Sequence, residues 1–373
     1  MTKLKDITGK ALSGEWGTDD ETGVGIPVLR TTNFTNEGIV NYENVVTRII
    51  TKKDISEKYL QSGDIIIEKS GGSDKQPVGR VIYFDGPENT YLFNNFTGLL
   101  RVRDKNEWFP RYVFYSLFAN YKKGGTRPFE NKTTGLHNLK TDDYVSRYEI
   151  TEIPLNKQVA ICAQLDQILK VINLRRKEIS NLDDLIKARF VEMFGDPETN
   201  SKGWAEISLS EKLNVLGGYA FKSDQFEETG GIPVLRIGNI NSGYFKPVNM
   251  VYWKEDRSLE RYAMYPGDLV MSLTGTVGKD DYGNVCILGN AYEMYYLNQR
   301  NAKLELKDGL DKYYLAELLK FSQVKKKLTG SSRGVRQANI SNKDILNLVA
   351  PIPPMELQQQ FANFVEQIAK SKF

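Results

Sequence analysis

The feature that most constrains this chain is an internal repeat. The six residues GIPVLR occur at positions 25–30 and again at 231–236, 206 positions apart (231 − 25). Each copy is followed by a Gly-Asp turn, an apolar run, a loop rich in Ser, Thr and Gly, and a second apolar run, at 62–84 and 266–288. A period of about 200 residues is far longer than that of a solenoid and indicates duplication of a whole domain.

The order of signals within each copy predicts a mixed α/β fold. Apolar runs separated by turn residues predict strand, loop and strand, and an aromatic-rich segment with helical spacing follows. Each copy then has a basic, glycine-rich loop and an Ile-Pro step that opens a helix, where proline is tolerated because its nitrogen needs no helical partner. In the two copies these segments are strands at 93–102 and 297–306, helices at 108–121 and 313–324, basic loops at 122–139 and 325–341, and Ile-Pro at 153–154 and 352–353. We expect GIPVLR to be a short strand with its proline at an edge position.

A long helix is predicted between the two copies, over residues 157–193. Its apolar residues recur at alternating steps of four and three, which is typical of a coiled coil, and such a helix is about 55 Å long. The predicted partner-binding residues of this seam are Ile161, Leu165, Ile168, Ile172, Ile179, Leu182 and Ile186. The alternative is an ordinary amphipathic helix packed on a globular domain. The same pattern restarts at Leu357 but covers only about two heptads, so we expect the seam around Ile179, Leu182 and Ile186 to pair with another chain.

Composition limits the class of partner. The 373 residues carry a net charge of only +3, so a polyanion would have to contact localised basic patches rather than a uniformly positive surface. Cys162 and Cys286 belong to no Cys/His cluster, which argues against a zinc site and a disulfide framework. Without a signal peptide or an apolar run long enough for a membrane span, we expect a soluble, cytoplasmic protein.

Catalytic signatures are weak. His137 is the single histidine, which excludes any mechanism that needs two. The sequence GTVGKDD at 275–281 departs from a phosphate loop, because Leu273 stands where the first glycine belongs and Asp280 follows the lysine. DIIIEK at 64–69 fits a buried strand better than a nuclease carboxylate cluster. We therefore expect no catalytic residues, no metal site and no cofactor on this chain.

The loops carry nucleic-acid chemistry instead. Lys and Arg neutralise phosphates, Arg, Asn and Gln contact base edges, and glycines let the backbone approach a phosphate closely. Solvated surface loops are the alternative, but basic loops at the same place in both copies favour function. The candidate DNA-binding residues are Thr31, Thr32, Asn33, Lys69, Ser70, Ser73, Lys75, Gln76, Arg127, Lys132, Thr133, Thr134, His137 and Asn138 in the first copy, and Asn239, Ser272, Thr274, Thr276, Lys279, Ser331, Ser332, Arg333, Arg336 and Gln337 in the second. Arg30 and Arg236 are open between a phosphate contact and a structural ion pair.

Taken in order and repeated twice, these motifs resemble the DNA-specificity (S) subunit of type I restriction-modification systems. The match consists of GIPVLR with its following asparagine, the Gly-Asp turn and loop, the GSSRGVRQANIS loop, and the Ile-Pro entry into a helix that ends in FGDP. The resemblance implies target-recognition domains at 1–155 and 196–352, each for one half of a split double-stranded DNA site. It implies spacer helices at 156–195 and 353–373, and two methyltransferase (M) and further restriction (R) subunits that supply S-adenosylmethionine, ATP and Mg sites and the catalysis.

Three alternatives stay open at this stage. The chain is also compatible with a specificity module whose single partner both methylates and cuts DNA. A coiled-coil scaffold without a DNA role would leave the duplicated basic loops unexplained. A second S chain is a further candidate partner for the unpaired part of the long helix.

Overall fold

The structure is a computed structural model that describes residues 1–133, 136–276, 281–330 and 337–371. It divides into two compact units, Met1–Leu174 and Arg175–Phe373, and each has its own apolar cores. Both units mix short strands with helices, so the predicted mixed α/β class is confirmed.

Among its described residues, unit 1 contains four sheets around two cores. Its strands are β1 (Thr2–Lys3), β2 (Leu12–Ser13), β3 (Thr18–Asp19), β4 (Ile26–Leu29), β5 (Val46–Ile49), β6 (Ile65–Glu68), β7 (Ser70–Gly72), β8 (Val81–Tyr83), β9 (Leu92–Phe93), β10 (Thr97–Leu100), β11 (Glu130–Thr133), β12 (Leu136–Leu139) and β13 (Glu149–Ile150). Its helices are α1 (Leu4–Thr8), α2 (Pro110–Lys122), α3 (Thr141–Arg147) and the first half of α4 (Leu155–Phe194). The strand orders are β2-β10-β6-β8, β3-β5-β4-β9, β11-β12-β7 and β1-β13.

The central strand β6 shows why a continuous apolar run was needed in this unit. Successive side chains of a strand point to opposite faces. Ile65 and Ile67 lie in the core that includes α2, whereas Ile66 lies in a second core with Phe84 and Phe93. Because both faces are covered, the run cannot alternate with polar residues, and the prediction of a buried strand for DIIIEK is confirmed.

Unit 2 repeats this plan. Its strands are β14 (Glu206–Ser208), β15 (Leu213–Gly217), β16 (Ile232–Leu235), β17 (Val251–Trp253), β18 (Ala263–Met264), β19 (Leu269–Ser272), β20 (Thr274–Thr276), β21 (Val285–Ile287), β22 (Tyr295–Leu297), β23 (Asn301–Leu306), β24 (Gln337–Asn339) and β25 (Val349–Pro351). Its helices are the second half of α4, α5 (Leu209–Lys212), α6 (Lys312–Leu318), α7 (Ser322–Thr329), α8 (Asn342–Leu346) and α9 (Met355–Ser371). The strand orders are β15-β23-β19-β21, β17-β16-β22-β18, β20-β24 and β14-β25. The single helix predicted at 313–324 is two helices, separated by the extended backbone of Phe321.

The GIPVLR strands β4 and β16 are central rather than edge strands. β4 lies between β5 and β9, and β16 lies between β17 and β22. The parallel partner begins only at Val28 and Val234, so Pro27 and Pro233 have a neighbouring strand on one side alone. The expected edge position of the proline is therefore confirmed although the strand itself is central, and proline is tolerated because its missing N–H is not required for pairing on the open side.

Each unit fixes the start of its long helix with one buried glutamine. In α4, the Gln158 side chain accepts from the Phe109 N–H at 2.8 Å and donates to the Glu107 and Ile153 carbonyls. In α9, Gln358 accepts from the Asp311 N–H at 2.8 Å and donates to the carbonyls of residues 309 and 353. The helices predicted after the two Ile-Pro steps are therefore anchored in the same way to their own units.

Candidate nucleic-acid interface

The two loops that the sequence singled out in each copy come together in one small sheet, which we call the loop sheet. In unit 1 it consists of β7, β12 and β11, and Ser70 lies opposite Asn138. In unit 2 it consists of β20 and β24, and Thr274 lies opposite Asn339. The Gly-Asp loop and the basic loop are thus adjacent strands at one place in each unit.

In unit 1, one arginine connects the end of β6 to the loop that follows GIPVLR. The Arg80 guanidinium lies 3.3 Å from the Glu68 carboxylate. It also donates to the Thr31 carbonyl at 2.8 Å and to the Phe34 carbonyl at 2.9 Å. Burial raises the pKa of Glu68 and the neighbouring Arg80 opposes that rise, so the arginine holds a buried charge in place.

In unit 2, an amide takes the same position with different chemistry. Asn284 precedes β21 as Arg80 precedes β8. Its side chain donates to the Asn241 carbonyl at 2.6 Å and accepts from the Lys325 ammonium at 2.5 Å. Its backbone N–H donates to the buried Ser272 hydroxyl at 3.1 Å. The connection between scaffold and loop is retained while the residues that make it change.

His137 holds the loop sheet of unit 1 together. The ring is only 4 % exposed. Its Nδ1 lies 2.8 Å from Glu130 and its Nε2 lies 3.5 Å from Asp74, and Glu130 also accepts from the Val78 N–H at 3.0 Å. His137 therefore connects β12 to β11 and to the Gly-Asp loop, which makes it a positioning residue of the sheet.

Asn33 and Asn239 lie inside their loops. The Asn33 side chain accepts from the Arg30 N–H at 2.9 Å and donates to the Asn41 and Glu43 carbonyls. Asn239 repeats this pattern with Arg236, accepting from its N–H at 3.0 Å. Both amides are buried, at 1 % and 3 % exposure, and in this conformation they serve the loop rather than face solvent.

The arginines of GIPVLR have the same structural partners in both copies. The Arg30 guanidinium donates to the Asn44 carbonyl at 3.1 Å, and Arg236 donates to the Asn249 carbonyl. Asn44 and Asn249 both have positive φ, at 56° and 51°. The partner is thus a carbonyl rather than the carboxylate of an ion pair, and the arginine stabilises a left-handed turn.

Other candidate residues also have partners within their loops. Gln76 donates its side-chain amide to the Tyr121 hydroxyl at 3.2 Å and its backbone N–H to the Ser73 hydroxyl, while Arg127 donates to the Asp74 carbonyl. In unit 2, Ser272 is fully buried and the Thr276 hydroxyl donates to Asp281 at 3.0 Å.

The remaining candidates differ in exposure. Thr32 and Lys75 are exposed, whereas Thr31, Lys69, Ser70, Asn138 and Thr274 are half-buried around the loop sheet. Only the backbone is described for Lys132, Thr133 and Gln337, which lie in β11 and β24. The candidates outside the described residues are Thr134, Lys279, Ser331, Ser332, Arg333 and Arg336.

The sequence predictions missed the residues that connect the loops to the scaffold. Arg80, Asn284 and Glu130 were not among the candidates. Their signal was present in the repeat, because VGRV and YGNV occupy the same place and differ only around a shared glycine. That glycine has positive φ in both units, 100° at Gly79 and 68° at Gly283.

The seam of α4 is used differently in its two halves. In unit 1 the core-facing residues are Cys162, Leu165 and Leu169, so of the predicted seam only Leu165 packs there. Ile161, Ile168 and Ile172 are 40 %, 55 % and 39 % exposed, and in unit 2 Ile179 is 42 % exposed. Leu182 is half-buried and Ile186 is buried with Phe190 and Phe194. Leu165 and Ile186 thus pack as the amphipathic alternative expected, whereas the four isoleucines are exposed. The pairing expected around Ile179, Leu182 and Ile186 is wrong for Ile186, because this side chain is buried in the core of its own unit.

The two cysteine thiols are buried. Burial raises the pKa of Cys162 to about 11 and that of Cys286 to about 12, so both stay protonated at neutral pH and are poor nucleophiles and ligands. In the described part of the chain, no group of three or more His, Cys, Asp or Glu side chains is arranged to hold a metal. Within the same residues, no helix is long and apolar enough to cross a bilayer.

Comparison with known proteins identifies the family to which this fold belongs. The chain contains two copies of one mixed α/β domain, each followed by a helix. The type I restriction modification DNA specificity domain matches residues 1–183 and 201–372, and the chain belongs to this family. The resemblance read from the sequence is therefore confirmed.

Individual relatives are distant but extend over most of the chain. The type I restriction enzyme MjaVIII specificity subunit of Methanocaldococcus jannaschii is 26 % identical over 318 residues, 77 % of this chain and 71 % of that protein. The EcoKI specificity subunit of Escherichia coli K12 is 23 % identical over 368 residues, 92 % and 75 % of the two chains. The crystal structure of the S subunit of M. genitalium has a similar fold, with a TM-score of 0.55 at 16 % identity over 99 % of this chain and 89 % of that one.

Proposed function

We propose that this chain is the sequence-specific DNA-binding subunit of a type I restriction-modification complex, and that each unit recognises one half of a bipartite site. The observation that carries the proposal is the loop sheet. Both units bring the Gly-Asp loop and the basic loop together on the same scaffold, but their side chains differ. A shared frame with different polar residues is what two domains need in order to recognise different base sequences.

The domain division follows from this proposal. Residues 1–155 and 196–352 are the target-recognition domains, and residues 156–195 and 353–373 are helices that set the spacing between half-sites. The buried glutamines at the helix starts support a spacer function, because each helix is fixed to its own domain by three hydrogen bonds.

In this proposal the chain is not itself catalytic. Two M subunits and the R subunits supply the sites for S-adenosylmethionine, ATP and Mg, together with methylation and cleavage. The related alternative is one partner chain that combines methylation and cleavage, and co-purification with the partners distinguishes the two arrangements. Exposed apolar residues of α4, namely Ile161, Ile168 and Ile172, support pairing of this helix with a second S chain.

The decisive experiment is methylation mapping of DNA from cells that express the chain with its M subunits. A bipartite, asymmetric motif is expected. Ser70→Ala and Thr274→Ala are matched variants, because the two positions are equivalent in β7 and β20 and both are half-buried. Each variant should relax or weaken recognition in one half of the motif only.

The same experiment can also refute the proposal. A genome without any bipartite motif would refute the DNA-specificity function. A motif in which Ser70→Ala weakens both halves equally would refute independent recognition by the two units, as would the same result for Thr274→Ala.

A further inference from the structure

Position 69 in unit 1 and position 273 in unit 2 occupy the same corner beside the loop sheet. The Lys69 N–H donates to the Phe96 carbonyl at 2.8 Å, and the Lys69 carbonyl accepts from the Leu139 N–H at 2.8 Å. The equivalent bonds of Leu273, to the Arg300 carbonyl and from the Ile340 N–H, are also 2.8 Å long. Each residue is thereby fixed between a tight turn on one side and the basic loop on the other.

The tight turn is the same in both units. It comprises residues 94–97 and 298–301, and it is closed by the Thr97 N–H to the Asn94 carbonyl at 3.0 Å and by the Asn301 N–H to the Asn298 carbonyl at 2.9 Å. Phe96 and Arg300 occupy its third position. Phe96 is 54 % exposed, and Arg300 is also exposed. The turn therefore presents this side chain to solvent next to the loop sheet.

The chemistry of the two positions is reversed between the units. In unit 1 the strand position is Lys69 and the turn position is Phe96; in unit 2 the strand position is Leu273 and the turn position is Arg300. Leu273 is 8 % exposed and belongs to the core. Lys69 is half-buried, its pKa is lowered by burial, and its ammonium donates to the Ser13 hydroxyl at 2.9 Å. Each hydrogen-bonded pair of residues thus contains one cation. The strand position contributes it in unit 1, and the turn position contributes it in unit 2.

We propose that this corner is a phosphate-contact site in each half of the interface, provided by Lys69 in unit 1 and by Arg300 in unit 2. The inference rests on the proposed DNA-binding function and names a contact within it. A phosphate contact needs a positive charge at a fixed place but no particular pattern of donors and acceptors. The charge is therefore retained while the side chain and the backbone position that supply it change, and Arg300 becomes a DNA-binding residue that the sequence alone did not reveal.

The test is DNA binding by the chain assembled with its M subunits, measured between about 50 and 200 mM salt on a duplex with the mapped site and on a scrambled duplex. The slope of log affinity against log salt is negative. Lys69→Leu and Arg300→Ala should each make it shallower by about 0.9, the value for one lost phosphate contact. Both variants should weaken binding to the two duplexes by the same factor and leave the methylated motif unchanged.

A charge-swap variant makes the test sharper. Lys69→Leu combined with Phe96→Arg gives unit 1 the arrangement of unit 2, and the salt slope should return to that of the parent chain. Lys105→Ala removes an exposed cation of the same unit, in the segment between β10 and α2, and should leave the slope unchanged. Equal thermal unfolding of all variants establishes that the fold is intact.

Three results would overturn the assignment. An unchanged salt slope in Lys69→Leu and Arg300→Ala, with normal binding by the parent chain, would show that these cations do not contact phosphate. An altered methylation motif would show base recognition instead of phosphate contact. Absence of any sequence-specific binding by the parent complex would refute the proposed function and this contact with it.

Discussion

Replacing Arg80 by methionine tests the connection between the scaffold and the loop at 31–34 of unit 1. The substitution keeps most of the apolar length and removes the guanidinium that lies 3.3 Å from Glu68 and donates to two loop carbonyls. Glu68 is 4 % exposed, so its carboxylate would then be buried without its cation. We expect local destabilisation of β6 and of the loop at 31–34.

The size of the effect follows from burial and geometry. Removing one partner of a buried ion pair costs about 3–5 kcal/mol. The lower end applies because the Arg80 side chain is 16 % exposed and the contact with Glu68 is long. A cost of about 3 kcal/mol corresponds to a roughly 100-fold increase in local opening, since about 1.4 kcal/mol is a factor of ten.

The cost depends on pH in a definite direction. Burial already raises the pKa of Glu68 above its ordinary value, so the folded state holds this proton more tightly than the unfolded state. Stability therefore falls as the pH rises through the window between the ordinary and the raised pKa. Losing Arg80 raises the pKa of Glu68 further. The destabilisation should be largest at neutral pH and should shrink as the pH is lowered and Glu68 becomes neutral.

Hydrogen exchange followed by mass spectrometry measures this opening for each peptide. Peptides that cover β6 and residues 31–34 should exchange roughly 100-fold faster in Arg80→Met, while peptides of unit 2 serve as the internal control. Adding Glu68→Gln should recover most of the protection. A change of less than about tenfold, or a cost that does not shrink at lower pH, would refute the argument that Arg80 neutralises a buried carboxylate.

The other predictions concern single interactions with clear repeat counterparts. Gln158→Ala leaves the Phe109 N–H without its acceptor and should destabilise unit 1 by about 1–3 kcal/mol, and Gln358→Ala should do the same in unit 2. Chemical denaturation that shows no loss of stability in the unit carrying the substitution would contradict the anchoring role. Asn33→Ala should lower the stability of unit 1 by a similar amount without a specific effect on one base of the motif, and a clean change of one base would instead make Asn33 a recognition residue. If the exposed face of α4 binds a second S chain, Ile168→Glu should shift sedimentation of the purified chain to the monomer while Lys157→Glu should not, and a parent chain that is already monomeric would refute the pairing.

The repeat, the strand run of DIIIEK and the helices after Ile-Pro were predictable because they depend on local patterns. Apolar runs, glycines and prolines restrict the backbone wherever they occur. The pairing of the two loops within each unit was not predicted, because Ser70 and Asn138 are 68 positions apart (138 − 70) and meet only in the folded sheet.

Other features could not be read from the sequence because they depend on tertiary contacts. The spacing of four and three residues does not reveal whether a given residue packs against a domain, as Ile186 does, or faces solvent, as Ile168 does. Likewise the Asn33 side chain could contact a base by its chemistry. In the fold it donates instead to the Asn41 and Glu43 carbonyls. The physical basis is that a polar side chain has the same hydrogen-bonding capacity in both roles and the surrounding backbone decides its partner.

The residues that support the loops differ between the two units. In unit 1 the support is a buried charge pair, Glu68 and Arg80; in unit 2 it is the neutral pair Ser272 and Asn284, which is joined by Lys325. Exchanging one member alone would bury an unpaired charge, since Glu68 without Arg80 or an arginine facing Ser272 lacks a counterion. Changing both members together keeps each polar group paired. Exchange of a whole unit, or of residues 68 and 80 together with their loops, would keep these polar groups paired, whereas point substitutions in the loops leave that frame unchanged.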